Sequence, residues 1–347
     1  MRWPICHWMP DQKASEHAAR IASDAECAIR FRPAWWLLGG NGQTLWPALV
    51  RRPPKLPVQW QWFVLPDQDC LNLAWGPRRD GALILILHGL GGCATAGYAL
   101  GMLRVLSQHG LQGVIMEYRG AGSWPNRSDR FYHAGAWQDL QIVVQELRAC
   151  CPNRPIGVVG FSLGGSILLN WLIADSKAPV DAAVAISVPF DLAACTDTLN
   201  RSFARVYQWD LLRRLKQRVR RKYANQDDAP ISIRQLRTVR TLRAFDNHIT
   251  APLHGYIDAA DYYRRCSCGP HLHAIRHATL IIHAHDDPFA PLPSIVLAQQ
   301  LAPCVQLELT PSGGHVGFVQ GRWPWYADYW LEQRIITYFL SIFKTVG

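Results

Sequence analysis

The sequence predicts an α/β fold: a mostly parallel sheet flanked by helices, interrupted late in the chain by an inserted helical cap. Three observations carry that prediction. Short apolar runs alternate with helix-like stretches from Ala82 onward. One apolar run passes through Gly160-Phe161-Ser162-Leu163-Gly164 directly into a helical pattern. Residues from about 190 to 275 then break the rhythm with helical, basic, Tyr-rich sequence before two further strands restore it. Alternation of this kind implies parallel strands joined by crossover helices.

Taken in order, residues 1–30 form an N-terminal extension with no interpretable pattern, and 31–347 form one domain. Trp35 to Pro57, rich in Trp, Gly and Pro, reads as an irregular packed opening segment. Gln59–Leu65 and Cys70–Trp75 read as a hairpin around Pro66-Asp67-Gln68-Asp69. Ala82–Leu87 is a buried strand, Gly97–Gln108 a helix, Gly113–Tyr118 a strand and Trp137–Cys150 a helix. Pro155–Val159 is a strand, Gly165–Leu172 its helix, and Asp181–Val188 the next strand. After the cap, Thr279–His283 and Val305–Leu309 are strands, and Trp330–Phe343 closes as an amphipathic helix.

A strand, a Gly-x-Ser-x-Gly turn and a helix make the nucleophile elbow of an α/β-hydrolase. The turn strains the backbone at Ser162, which glycine neighbours accommodate, and lifts the hydroxyl above the sheet. The pentapeptide alone is weak evidence, since chance supplies roughly 0.1 matches in a chain of this length. Context gives it weight. A serine hydroxyl needs a histidine to take its proton and an acid to orient that histidine. In this fold the acid and base follow the serine, in that order, on loops after later strands.

Ala278–Ile282 leads into His283-Ala284-His285-Asp286-Asp287-Pro288-Phe289-Ala290-Pro291, and Val305–Leu309 leads into Thr310-Pro311-Ser312-Gly313-Gly314-His315. His315 is therefore the expected general base. The acid is Asp286 or Asp287; Asp287, four residues before Pro291, is favoured, with Asp286 satisfying amides of the turn. The oxyanion requires two backbone N–H groups. Leu163 supplies one, and Leu90, in His88-Gly89-Leu90-Gly91-Gly92, is nominated for the other. His88 reads as packing beneath that loop. His133, His254, His283 and His285 read as structural.

With 347 residues, 49% hydrophobic and 18% charged, the chain can bury a substantial core. No apolar stretch reaches the eighteen or so residues of a membrane helix. Met1–Pro10 lacks the apolar core and cleavage site of a signal peptide. The ten cysteines are scattered like free thiols, so a reduced cytoplasmic setting is expected. Cys266-Ser267-Cys268 with His271 and His273 lacks the two-residue cysteine spacing of common zinc sites, so no metal or other cofactor is expected. Between Arg201 and Arg243 lie thirteen Lys or Arg against Asp210, Asp227 and Asp228, so this segment accounts for the whole formal charge of +10. Leu211, Leu212, Leu215 and Val219 recur within it at helical spacing. It reads as a solvated helical face or as a peripheral contact with an anionic membrane; nucleic acid is the less expected partner.

From about Phe31 to the C-terminus the chain resembles the YheT-type group of α/β-hydrolases, which includes bacterial esterases and eukaryotic ABHD-type lipases and acyltransferases. The marks begin with Pro33-Ala34-Trp35-Trp36, Gln43-Thr44-Leu45-Trp46-Pro47, His88-Gly89-Leu90-Gly91-Gly92 and Tyr118-Arg119-Gly120. They continue with Phe161-Ser162-Leu163-Gly164-Gly165, Phe245-Asp246, Ala251-Pro252-Leu253-His254-Gly255-Tyr256 and Asp261-Tyr262-Tyr263. Asp286-Asp287-Pro288-Phe289 and Gly313-Gly314-His315 complete them. Asn41 and Glu117 stand where histidine and asparagine are expected, and Gln68 where glycine is. The resemblance implies a triad of Ser162, Asp287 and His315 and hydrolysis of carboxylic esters with short to medium acyl chains. Transfer of the acyl group to an alcohol is the alternative on the same triad, and a binding protein with a basic cap the more remote one.

Overall fold

The computed structural model describes residues 30–122, 125–224, 226, 229–291 and 301–346. Residues 1–29, nearly all of the expected N-terminal extension, lie outside them.

Eight strands make the main sheet: β1 (Gln59–Val64), β2 (Cys70–Trp75), β3 (Leu83–Leu87), β4 (Gln112–Glu117), β5 (Ile156–Phe161), β6 (Ala182–Ile186), β7 (Thr279–Ala284) and β8 (Val305–Thr310). Their spatial order is β1-β2-β4-β3-β5-β6-β7-β8. The β1–β2 hairpin and its pairing to β4 are antiparallel; from β4 to β8 every pair is parallel. The central strand β3, Leu-Ile-Leu-Ile-Leu, is buried along its whole length, as a parallel strand covered on both faces must be. Leu83, Leu85 and Leu87 face one apolar layer, and Ile84 and Ile86 face the other.

The helices divide between those layers. Among the described residues the first helix is α1 (Gly39–Leu49), followed by α2 (Gly97–Gln108), α3 (Gln138–Cys150) and α4 (Leu163–Ala174). Leu140, Val143 and Val144 of α3 and Ile167, Leu168 and Trp171 of α4 cover the face shared by Leu83 and Leu85. Residues of α2, with Ile335, Ile336 and Phe339 near the C-terminus, cover the other.

Between β6 and β7 lies the helical insert. It holds α5 (Leu192–Leu199), α6 (Ala204–Tyr223), α7 (Ile233–Thr238), α8 (Leu242–Phe245), α9 (Ala251–Leu253) and α10 (Ala259–Cys266). Leu212, Leu215, Val219, Leu236, Leu242, Phe245 and Ile249 form an apolar core of their own there. After β8, α11 (Trp330–Val346) closes the chain. The strand and helix boundaries read from sequence hold to within a few residues.

One expectation needs correcting. The opening segment is not irregular throughout, because α1 occupies Gly39–Leu49. Three glycines and Pro47 within eleven residues mask its helical tendency. Tertiary contacts supply what propensity lacks. The Gln43 side chain donates to Val319 O (3.0 Å) and accepts from Val319 N (2.6 Å), pinning α1 to the far end of the chain.

The hairpin turn explains its own departure from the family pattern. Gln68 has φ +64°, a left-handed conformation that glycine adopts without strain. Asp67 and Asp69 on either side both accept from the Arg119 guanidinium, which also forks onto Asp139 at 2.7 Å through each oxygen. Burial works to raise the Asp69 pKa, but hydrogen bonds from Ser128, Arg127, Asn126 and Cys70 outweigh it and leave the carboxyl well below its usual range.

Candidate active site

Strand β5 ends at Phe161 and α4 begins at Leu163, so Ser162 alone makes the turn between them. Its φ of +52° and ψ of −119° place a non-glycine residue in a strained region, tolerated where surrounding structure enforces it. The enforcing contacts are backbone ones. Ser162 N donates to Ile186 O at 2.8 Å on the neighbouring strand. A Cβ at Gly160 would stand 2.5 Å from Gly164 O, and one at Gly164 would stand 2.6 Å from Leu87 O. Neither position has room for a side chain.

The Ser162 hydroxyl meets His315 Nε2 at 2.8 Å. On the other side of the ring, His315 Nδ1 lies 2.9 Å from Asp287 Oδ2 and 3.1 Å from Oδ1. Asp287 also accepts the N–H groups of Phe289 (2.8 Å) and Ala290 (3.1 Å). Burial works to raise its pKa, yet the facing His315 and these donors more than offset it, holding the carboxyl below its ordinary value. Asp286, its neighbour, points elsewhere: Oδ1 accepts from Gly314 N (2.9 Å) and Oδ2 from Ser312 Oγ (2.8 Å). Two adjacent acids thus do different jobs, one facing the imidazole and one fixing the loop that carries it.

Two further contacts orient His315. Its backbone N–H donates to Thr44 Oγ1 at 2.8 Å, from α1. The Phe289 ring stacks on the imidazole, centroids 4.1 Å apart and planes at 13°. Both Phe289 and Thr44 lie in motifs visible in the sequence. Nothing in the spacing of residues 33–47 pointed Thr44 at a histidine 271 positions away.

The loop after β3 runs alongside Ser162. A Cβ built on Gly89 would come 3.2 Å from Ser162 Cβ. Gly89 N donates to Tyr98 Oη (2.9 Å), Gly91 N to Tyr132 Oη (2.9 Å) and Gly92 N to Gly89 O (3.1 Å). Among the described residues, the N–H groups of Leu90 and Leu163 have no protein acceptor. Glu117, another departure from the family pattern, anchors the loop's far end by accepting Ala94 N at 2.9 Å. His88 is fully buried beneath it, and its Nδ1 donates to Gly89 O at 2.9 Å. Burial pushes its pKa down to about 3, so the ring is neutral.

Residues 82–322 match the model of the alpha/beta hydrolase fold family. The chain belongs to that family. The YheT-type resemblance holds as well. The chain is 42% identical over 320 residues to the Escherichia coli (strain K12) protein named "Putative esterase YheT", spanning 90% of this chain and 94% of that one. It is 29% identical to the mouse "Phospholipase ABHD3" over 90% of this chain and 77% of the relative. To the Saccharomyces cerevisiae "Monoacylglycerol lipase" it is also 29% identical, over 77% of this chain and 61% of the relative. Among solved structures, one named "putative lipase (lip1) from Acinetobacter baumannii AYE" superposes with TM-score 0.51 at 15% identity, covering 87% of this chain and 95% of that chain. That likeness is one of fold.

In this α/β-hydrolase the Ser162–His315 contact opens onto a cleft of about 920 Å³ between the strand ends and the insert. Leu45, Leu90, Leu192, Leu211, Phe245 and Ile249 are among the side chains that line it. Among the described residues, none of the other histidines singled out in the sequence is hydrogen-bonded into the Ser162–His315–Asp287 chain. His283 is buried, its pKa lowered by burial, with Nε2 3.2 Å from Ala290 O. His133 and His254 pack against each other, ring centroids 4.3 Å apart. The sulfur of Cys266 faces Tyr256 Oη at 3.1 Å. Among the described residues, no helix is long and apolar enough to cross a membrane.

Proposed function

We propose that the protein is a serine hydrolase of carboxylic esters with short to medium acyl chains. The observation that carries this reading is the unbroken chain Ser162 Oγ, His315 Nε2, His315 Nδ1 and Asp287, at 2.8 and 2.9 Å, at the floor of an apolar-lined cleft. Ser162 Oγ attacks the ester carbonyl carbon as its proton passes to His315 Nε2. Leu90 and Leu163 N–H hold the resulting oxyanion. Collapse breaks the bond to the alcohol oxygen, which takes the proton from His315. Water then repeats the sequence on the acyl-enzyme, giving its proton to His315, and the acid leaves as Ser162 recovers its hydrogen. Asp287 stays ionised throughout and orients the imidazole. None of these steps calls for a metal or a redox cofactor. At about 920 Å³ the cleft lies at the upper end of small-molecule sites, enough for such an acyl chain with its alcohol. The names of the relatives, esterase, phospholipase and monoacylglycerol lipase, support an ester substrate.

The test is hydrolysis of p-nitrophenyl esters from acetate to palmitate by the wild type beside Ser162→Ala. Turnover that vanishes in the variant supports the reading, and equal turnover in both overturns it. Adding ethanol and measuring ethyl ester separates hydrolysis from acyl transfer.

The basic cap supports a second, peripheral role at the cleft mouth. Val206, Trp209 and Arg213 are exposed along one stripe of α6, with the Arg213 guanidinium 5.8 Å from the Trp209 ring. This stripe is suited to an anionic lipid surface, where Trp sits at the headgroup level and Arg meets phosphate. Trp209→Ser should weaken cosedimentation with phosphatidylglycerol vesicles; undiminished binding would rule the contact out.

A further inference from the structure

Part of the basic run on α6 is turned toward the rest of the fold. Lys216 Nζ donates to Val239 O, Arg221 to Gly122 O at 2.6 Å, and Lys222 to Asn126 O and Oδ1 at 2.9 Å. These cations point at backbone carbonyls. The remaining inward member, Arg218, reaches the loop beside Ser162. Its guanidinium donates to Gly92 O at 2.6 Å, to Gly91 O at 3.2 Å and to Tyr132 Oη at 2.5 Å. Tyr132 Oη also accepts Gly91 N–H at 2.9 Å. One guanidinium, with one phenol beneath it, therefore fixes both the N–H and the C=O of Gly91 and the C=O of Gly92.

Leu90 sits between the tethered N–H of Gly89 and this clamp, its own N–H having no acceptor among the described residues. Gly91 adopts φ +72°, so the peptide joining Leu90 to Gly91 can rotate unless something holds it. We infer that Arg218 is a positioning residue: it holds the Gly91–Gly92 peptides from the cap so that Leu90 N–H stays aimed at the oxyanion, coupling cap docking to catalytic competence. This deepens the proposed function and rests on it. The alternative is that Arg218 acts only as a positive charge near the cleft. Chemistry separates the two, because lysine keeps the charge and loses the planar fork.

Donors that stabilise a developing oxyanion act on the transition state more than on the bound ester. Loss of a single donor costs on the order of 100-fold in kcat, and misaiming one costs a sizeable part of that. The expected results are a fall of about tenfold to 100-fold in kcat for both Arg218→Lys and Arg218→Ala, with KM changed little. Added guanidinium ion should restore part of the Arg218→Ala activity. Tyr132→Phe removes the bridging hydroxyl and keeps the ring that stacks on Tyr118 at 4.9 Å; it should lower kcat in the same way. Arg237→Met, exposed elsewhere on the cap, is the control and should match the wild type.

Three outcomes would overturn the inference. They are an Arg218→Lys enzyme with wild-type kcat, a loss confined to KM, or a Tyr132→Phe enzyme with unchanged kcat. Each is read against a wild type whose turnover Ser162→Ala abolishes. A wild type without such turnover would instead sink the proposed function.

Discussion

At the strand ends, Ser162, His315 and Asp287 are joined through one imidazole, and their surroundings are backbone N–H groups and tightly packed glycines. Across the cleft, α6 sends Arg218 to the loop after β3, Arg221 and Lys222 to the segment after β4 and Lys216 to Val239 within the cap, each seated on carbonyl oxygens. The first region is held by geometry that cannot relax without moving the sheet. The second is held by long cationic side chains whose alternative partner is water. The difference teaches where rigidity is placed: Ser162, His315 and Asp287 are fixed by the core, and the loop after β3 beside them is finished from the cap.

The largest effects should come from breaking the first region. Ser162→Ala and Asp287→Asn should each lower kcat about 10⁴-fold or more on any ester the wild type cleaves, with the fold intact by circular dichroism. Gly164→Ala should cost about 3 kcal/mol in urea denaturation, because the added methyl meets Leu87 O and His88 O inside the sheet. Asp287 adds a pH signature of its own. Its lowered pKa means its stabilisation is present above the unfolded value of 3.8 and is lost as pH falls through the lower folded value.

The cap should answer differently. Asp246, on the cleft wall, accepts from Tyr263 Oη (2.7 Å) and Thr250 Oγ1 (2.8 Å), and burial outweighs both bonds to raise its pKa from 3.8 to about 6. The folded state then binds a proton that the unfolded chain has released. Stability falls between about pH 4 and 6 and stays lower above it, by about 3 kcal/mol for two pKa units. Asp246→Asn should remove that fall, so its urea midpoint at pH 8 should exceed the wild type's while the two nearly coincide at pH 4. Lys222→Met should lower stability by about 2 kcal/mol by leaving the carbonyl of Asn126 without its donor, with kcat close to wild type. Arg237→Met should change stability by less than about 0.5 kcal/mol.

The sheet and its order of elements were legible because buried strands advertise themselves as apolar runs, and the Gly160–Gly164 turn sits where such a run becomes helical. Ser162, Asp287 and His315 were legible for the same reason, each being tied to a strand end. The spacing to Pro291 favoured Asp287, and it is Asp287 that faces the imidazole while Asp286 contacts Ser312 and Gly314. The cap resisted reading. A run of arginines looks alike whether a side chain lies in solvent or on a carbonyl, and only the packing of Leu212, Leu215 and Val219 decides which face turns inward. The roles of Tyr98, Tyr132 and Thr44 were invisible too, since each acts through a contact that no local pattern encodes.

The seam between the chain's two ends has a kinetic consequence. Gln43 pairs with Val319 across 276 positions, and Thr44 holds His315 across 271. Contacts of such separation form late, after loop closure has been paid for. Refolding should therefore regain its helices and strands before it regains hydrolysis, and a chain growing from the ribosome stays inert until His315 and Val319 have emerged.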